Sequence, residues 1–263
     1  MIKAVFFDID GTLVPFGAKG IPSDTREAIE ALRRKDIKVF ISTGRHICWV
    51  DNLGDTEFDG YVTVNGGMCL LADKRTCIYK YAIDRDDIVR LVDYANRHRD
   101  LPFSVVPETG GIFFNVVDDT VRDILALLHV DDVTVEPIER ALDHDVVQLM
   151  AFFSPDVMQR TRLFDDTLLS CTPTSWSPSF SDVIPTGSNK AVGIDRMLSY
   201  FGIDLSQTMA FGDGGNDISM LRHVAVGVAM GNASDDVKRI ADFVTADVDR
   251  DGISVALRHF GII

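Results

Sequence analysis

Two carboxylates one residue apart, Asp8 and Asp10, follow the apolar run Ala4-Val5-Phe6-Phe7 and lead into Gly11-Thr12. The run reads as a buried strand, and the glycine lets the chain turn sharply as it leaves. Acids at the exit of a buried strand are costly unless something pairs with them or coordinates them. A divalent cation, together with chemistry that uses a carboxylate, accounts for both. Taken alone the motif has other readings. Asp-x-Asp-Gly also opens calcium loops, although the ligand series of an EF-hand is missing here, and a plain strand-to-turn junction needs no ligand at all.

Three further segments carry groups that could work with this pair. Thr43-Gly44-Arg45 ends a second apolar run, Lys190 lies near a helix start, and Gly212-Asp213-Gly214-Gly215-Asn216-Asp217 ends a third. Each has a bland reading: Thr-Gly starts turns and caps helices, a lone lysine is a solvated charge, and a glycine-rich acidic stretch is a surface turn. Together they supply nucleophilic carboxylates, a hydroxyl with backbone N–H groups, a cation and further acids. Phosphoryl transfer needs this kit, because charge on the phosphoryl oxygens must be neutralised while attacking and leaving atoms are held in line.

The elements that would position these residues alternate. A helix over Thr25–Arg34, a strand over Ile37–Ser42, another helical stretch and a strand over Gly60–Val64 follow the first strand. That order predicts an α/β fold, a doubly wound, Rossmann-like, mostly parallel sheet with its ligands at the C-terminal strand edge. Near residue 84 the rhythm changes. Helices over Asp84–Arg97 and Thr120–Leu128 serve short strands near Phe103–Val106 and Ile112–Val116, then comes a long strand over Val146–Phe153. A helix over Pro155–Phe164 and strands around Leu168–Cys171 and Phe180–Ile184 complete a segment expected to be antiparallel α+β. Alternation resumes with a helix over Asn189–Phe201 and a strand over Thr208–Phe211. The expected organisation is a catalytic α/β core of residues 1–83 and 185–263, with an inserted α+β cap, the substrate-specificity domain, at 84–184.

With 263 residues and 46% apolar content the chain has ample material for a core. Its 40 acidic residues outnumber 26 Lys and Arg, giving a net charge of −14 that argues against nucleic acid and anionic membrane as partners. A small anionic substrate remains compatible, since a metal and a few local cations reverse the sign of one pocket. Cys48, Cys69, Cys77 and Cys171 form no C-x-x-C pair, and no apolar run of about 18 residues exists to span a membrane. A reducing, cytoplasmic setting with packing thiols is expected. No obligate protein partner is evident from the pattern.

The four segments in order, D-x-D-G-T, T-G-R, Lys and G-D-G-x-N-D-x-x-M-L, resemble the four signature motifs of the haloacid dehalogenase superfamily, Cof-type branch with an α/β cap. The chain is similar throughout to bacterial sugar-phosphate (hexose-phosphate) phosphatases of that branch. The resemblance implies that Asp8 is the nucleophile, forming an aspartyl phosphate, and Asp10 the acid and base. It implies Mg²⁺ held by the Asp8 and Asp213 carboxylates and the Asp10 carbonyl. Thr43 and the Gly44 N–H would bind phosphate, with Lys190 pairing both Asp8 and the phosphoryl group. Asn216 and Asp217 would support the metal's water shell and Lys190.

Phosphate monoester hydrolysis requires up to about 10²¹-fold acceleration, of which a general acid supplies only about 10²–10⁴. Metal, Lys190, backbone dipoles and alignment must supply the rest. A phosphotransferase or mutase would use the same motifs with a sugar hydroxyl as acceptor. A receiver-type signalling domain uses similar groups without a cap, its acceptor acid ending a later strand. Arg45 reads equally as a phosphate or substrate ligand and as half of a surface ion pair, and Asn65-Gly66-Gly67 equally as a substrate contact and as a tight turn. Trp176 and Asp182 are candidate substrate contacts in the cap, with packing the plainer role for Trp176. The histidines, His129 among them, show no ligand spacing.

Overall fold

Four consecutive apolar residues without polar alternation form β1 (Ala4–Phe7), which is buried on both faces as a central parallel strand requires. The chain continues through α1 (Ser23–Arg34), β2 (Lys38–Ser42), β3 (Gly60–Thr63), β4 (Met68–Leu71) and β5 (Cys77–Lys80). Then come α2 (Arg85–Arg97), β6 (Phe103–Pro107), β7 (Ile112–Phe114), α3 (Asp119–Leu127), β8 (Val135–Pro137), β9 (Val146–Ala151), α4 (Pro155–Arg160), β10 (Cys171–Ser177) and β11 (Phe180–Pro185). The final stretch holds α5 (Lys190–Phe201), β12 (Thr208–Gly212), α6 (Ile218–His223), β13 (Val226–Ala229), α7 (Asp235–Ile240), β14 (Phe243–Val244) and α8 (Gly252–His259). This computed structural model describes residues 1–109, 111–127, 135–177 and 179–263, with side chains at all of them except 127, 135 and 175–177. The expected helix end at Leu128, His129 and the Trp176 side chain lie outside the described residues. Two compact units result, Met1–Tyr79 with Asn189–Ile263, and Lys80–Ser188.

The first unit is built on an eight-stranded sheet in the order β14-β13-β12-β1-β2-β3-β4-β5. From β14 to β3 the pairings are parallel, and β4 turns back antiparallel on β3. Side chains of β1 alternate between two apolar clusters. Val5 and Phe7 pack with α1 and α8, while Ala4 and Phe6 pack with α5, α6 and α7. Phe7 stacks on Phe211 and Phe6 on Phe40, at centroid distances of 5.2 and 4.9 Å. The connection from β1 proceeds to β2 on one side, and β12 returns on the other. The crevice at the C-terminal end of β1 and β12 is therefore the topological switch point.

The second unit is a six-stranded sheet, β10-β11-β9-β6-β7-β8. One face packs into an apolar cluster with α2, through Leu91, Val92 and Ala95 against Phe103, Val105 and Leu149. Its pairings are antiparallel except β7 with β8, which is parallel, against the expectation of an antiparallel insert.

Other departures from the sequence reading have local causes. The stretch between β2 and β3, expected to be helical, contains only a 3-10 turn, Ile47–Trp49. Asp51, Asn52, Gly54 and Asp55 follow it directly, residues that favour turns over helix. The helix expected over Pro155–Phe164 ends at Arg160, because Arg162 adopts a left-handed conformation and a wider turn, Leu163–Thr167, takes over. The strand expected around Leu168 starts at Cys171. Cys69 and Cys171 are packing residues, but Cys48 and Cys77 are exposed. The chain passes between units at Tyr79/Lys80 and Ser188/Asn189 instead of at 84 and 184. The sequence signals at those points mark element ends, the Asp84 cap of α2 and the end of β11, and not the crossing itself.

Candidate active site

Asp8, Thr43 and Asp213 each lie one residue beyond β1, β2 or β12, three adjacent parallel strands, so the sheet register alone brings them to one edge. Lys190 arrives from the first turn of α5, which is capped by the Asn189 side chain accepting from Val192 N at 3.2 Å. Two glycines let α5 approach this closely. A Cβ on Gly193 would lie 2.3 Å from Val62 Cγ1, and one on Gly66 would lie 1.9 Å from the Asn189 carbonyl oxygen.

Lys190 is fully buried, and its Nζ donates to Asp8 Oδ1 at 2.6 Å and to Asp217 Oδ1 at 2.5 Å. The other Asp217 oxygen accepts from the N–H groups of Asp213 and Gly214 at 2.9 and 2.8 Å. Asp217 is thus tied to a cation on one side and to the loop backbone on the other. Burial opposes the Lys190 charge, but Asp217 and Asp8 overcome it and hold the ammonium well above its usual pKa. Burial also pushes the Asp8 carboxyl well up; Lys190 pulls against this, while Asp217, Asp213 and Asp10 add to the rise.

Asp213 Oδ1 accepts from Thr12 Oγ1 at 2.8 Å. Burial and the neighbouring Asp217 push its pKa up to about 7, against the hydrogen bond from Thr12. Gly11, at φ +83°, passes so close that a Cβ there would fall 2.3 Å from Asp213 Oδ2. Its carbonyl is held by Asn232 Nδ2 at 2.8 Å. Oxygens of Asp8, Asp213 and Asp217 all lie within 4.8 Å of one another, a group that could hold a metal ion.

Asp10 faces a different partner. Arg45 Nε and Nη2 donate to its two carboxylate oxygens, both at 2.7 Å, and Nη1 donates to the Trp49 carbonyl at 3.1 Å. The Thr43 hydroxyl accepts from Arg45 N at 3.1 Å. Asn216 Nδ2 donates to Asn65 Oδ1 at 2.9 Å, and a Cβ on Gly44 would meet these two amides at 3.4 and 3.2 Å. Val64, Asn65 and Gly66 form a left-handed run with φ of 46, 52 and 90°. A β-branched residue in that region is a true outlier and stores strain beside the site.

The nine candidates of the four motifs, Asp8, Asp10, Thr43, Gly44, Arg45, Lys190, Asp213, Asn216 and Asp217, fall within the first unit, and Asp182 within the second. Hydrogen bonds join Asp8, Lys190, Asp217 and Asp213 into one neighbourhood and Asp10, Arg45 and Thr43 into another, while Asn216 bonds Asn65. Sequence reasoning gave no role to Thr12, Asn232 or Val64. Thr12 lay inside the first motif and could have been found there. Asn232 follows Gly231 just past β13 at the same sheet edge, whereas nothing in the sequence marks Val64 as left-handed.

Residues 5–257 match the profile of the haloacid dehalogenase-like hydrolases. YkrA of Bacillus subtilis strain 168, named as a presumed phosphatase, is 32% identical over 266 residues, covering 99% of this chain and 98% of its own. The 5-amino-6-(5-phospho-D-ribitylamino)uracil phosphatase YcsE of the same organism is 26% identical over 263 residues, covering 98% and 96%. Among solved structures, that of the subclass IIB sugar phosphatase BT4131 superposes with a TM-score of 0.88 at 42% identity, over 99% of this chain and 100% of its own.

Proposed function

Because the chain belongs to the haloacid dehalogenase-like hydrolases and is a phosphatase of that family, we propose that it is a Mg²⁺-dependent hydrolase of small phosphomonoesters, sugar phosphates (hexose or pentose) foremost, acting through a phosphorylated Asp8. The observation that carries this reading is the buried Lys190 bound at once to Asp8 and Asp217 beside Asp213. The similarity to a sugar phosphatase and to a phosphatase of a ribityl phosphate supports the substrate class. The second unit is assigned to substrate selection, and the free thiols suit a reducing cytoplasm.

The acid cluster fits a divalent cation by its chemistry. Two of its members, Asp8 and Asp213, are held above their usual range by burial and by neighbouring carboxylates, Asp217 foremost, and both would be relieved by added positive charge. The missing Gly11 Cβ keeps the space beside Asp213 open. The Asp8 and Asp213 carboxylates and the Asp10 carbonyl would hold Mg²⁺, which supplies charge to neutralise the phosphoryl oxygens. Asp217, with one oxygen on Lys190 and the other on two backbone N–H groups, is committed to orienting the lysine.

The chain's own groups then divide the work. Lys190 fixes Asp8 through Oδ1, and the second Asp8 oxygen attacks phosphorus. A bond forms between that oxygen and phosphorus as the bond from phosphorus to the alcohol oxygen breaks. Asp10, with one oxygen released from the Arg45 fork and protonated, delivers that proton to the departing oxygen, then takes one from the water that opens the aspartyl phosphate. The Thr43 hydroxyl accepts from Arg45 N, which leaves its own proton for a phosphoryl oxygen. Asn216, steadied by Asn65, adds a polar contact at the same edge.

A phosphate-release screen over phosphorylated sugars, nucleotides and cofactors, with and without Mg²⁺, tests the reading. Release from sugar phosphates only with Mg²⁺, lost in Asp8→Asn with the circular dichroism spectrum unchanged, is the expected result. Turnover by Asp8→Asn above background removes Asp8 from its role, and an isomeric ester in place of free phosphate assigns the enzyme to phosphoryl transfer between hydroxyls.

A further inference from the structure

Asp213 leaves the sheet at the end of β12, and β12 lies between β1 and β13. A side chain from the β13 exit spans the gap. Asn232 Nδ2 donates to the Gly11 carbonyl, on the loop after β1, at 2.8 Å. The opposite end of the same amide is also committed, since its Oδ1 accepts from Val248 N at 2.9 Å. A carbonyl only accepts and a backbone N–H only donates, so the two partners settle which way the amide points. The segment that supplies Val248 is packed closely on the β13 exit. Gly231 N donates to the Ala246 carbonyl at 3.0 Å, and a Cβ on Gly231 would lie 2.3 Å from Asp247 Oδ1. Thr245 Oγ1 donates to the Gly252 carbonyl at 2.5 Å, which ties the segment to the start of α8.

The Asn232 bond falls on a peptide that needs holding. Gly11, at φ +83°, has more rotational freedom than any residue with a side chain, and its following peptide can turn. Both ends of that peptide are secured. Asn232 holds the Gly11 carbonyl, and the Thr12 N–H donates to the Ile9 carbonyl at 3.3 Å. What the peptide carries is the support of Asp213. Thr12 Oγ1 donates to Asp213 Oδ1 at 2.8 Å, and Gly11 lies so near Oδ2 that a Cβ would fall 2.3 Å from it. The carboxylate is thus seated against residues 11 and 12 through both of its oxygens. Asn232 is itself exposed, so its truncation opens no cavity. Its two hydrogen bonds are its work.

Resting on the Mg²⁺ reading above, we infer that Asn232 is a positioning residue for the metal site, pinning the Gly11–Thr12 peptide so that Asp213 meets the cation already aligned. Without the Asn232 donor the Gly11 carbonyl turns to water, and the Thr12 hydroxyl loses its fixed direction. The cation must then order the loop as it binds, and its affinity falls by that amount. Groups that orient metal ligands from behind are typically worth about 10- to 100-fold in affinity.

The test is calorimetric titration of Mg²⁺ into the full-length, metal-free protein, comparing wild type with Asn232→Ala and Thr245→Val. The second variant leaves the Gly252 carbonyl without its donor and loosens the same segment, but it keeps the Asn232 bond to Gly11. Asn232→Ala is expected to raise the Kd for Mg²⁺ about tenfold or more, and Thr245→Val to leave it unchanged. An unchanged Kd in Asn232→Ala overturns the inference. So does an equal rise in Thr245→Val, which traces the effect to general loosening of the segment. A wild type that binds no Mg²⁺ defeats the metal reading and this inference together, whereas tight binding by both wild type and Asn232→Ala defeats the inference alone.

Discussion

The guanidinium of Arg45 grips the carboxylate of Asp10 through two parallel bonds, Nε to Oδ2 and Nη2 to Oδ1, each 2.7 Å long. Its third nitrogen is spent on the Trp49 carbonyl, so the fork is fixed at both ends. Only arginine matches a carboxylate in this way. In the proposed reaction the fork positions Asp10 beside the leaving oxygen, and one carboxylate oxygen parts from the guanidinium when it carries the proton to be delivered. Arg45→Lys keeps the charge but loses the fork, and kcat on alkyl phosphates is expected to fall about 10- to 100-fold. The loss should shrink for p-nitrophenyl phosphate, whose leaving group departs without a proton. Steady-state rates over a series of alkyl and aryl phosphates check this; a uniform loss would instead put Arg45 on the phosphate itself.

Lys190 sits between two acids in a fully buried position. Removing one partner of a buried ion pair leaves an uncompensated charge and typically costs about 3–5 kcal/mol. Lys190→Met strands both Asp8 and Asp217 and is expected to lose stability in that range by urea denaturation, together with activity. Asp217→Asn should lose less, because an amide oxygen can still accept from the Asp213 and Gly214 N–H groups. The reverse order would show that Asp217, and not the lysine, organises the loop.

The sheet edge of the candidate site was legible in the sequence because its information is local there. Asp8, Thr43 and Asp213 each follow an apolar run directly, and a parallel sheet needs no further specification to bring such positions together. What the residues do to one another is not local. Arg45 reads equally in the sequence as a substrate ligand and as half of a surface ion pair, but that its partner is Asp10, 35 positions away, emerges only from packing. Likewise, β4 and β5 were missed because a strand returning antiparallel after Asn65-Gly66-Gly67 looks like the tail of a loop. In the second unit, Asp182 was visible as a polar residue in an apolar run, whereas its union with Gln148 depends on a diagonal between strands that no periodicity encodes.

Asp213 allows metal binding to be read from stability alone. Its carboxyl is raised from the usual 3.8 to about 7 by burial and Asp217. Within that window the folded, metal-free protein keeps a proton that the unfolded chain has released. Stability conferred by this group is therefore full at the acid end and is lost as pH rises through the window. A cation binds the ionised form and reverses the trend. The increase in melting temperature on adding Mg²⁺ is expected to be small at about pH 5 and large at about pH 8, and to vanish in Asp213→Asn. A shift of equal size across the range would mean that the ion binds elsewhere.

Gly66 and Gly17 share a left-handed backbone, at φ +90 and +79°, but differ in what surrounds them. A side chain on Gly66 would strike the Asn189 carbonyl at 1.9 Å and approach Lys190 N at 3.1 Å, whereas one on Gly17 meets nothing within 4 Å. Both alanine variants therefore incur the backbone strain, about 1–3 kcal/mol. Only Gly66→Ala must also push away the first turn of α5, and with it the Lys190 ammonium that lies 2.6 Å from Asp8. A displacement of about 1 Å in a positioning group can reduce rate roughly 10²-fold. Gly66→Ala should thus lose more stability than Gly17→Ala in denaturation and also lose about two orders of magnitude in turnover, with Gly17→Ala retaining kcat. If Gly66→Ala loses stability but keeps its kcat, the close approach of Gly66 to α5 serves folding and not the alignment of the lysine.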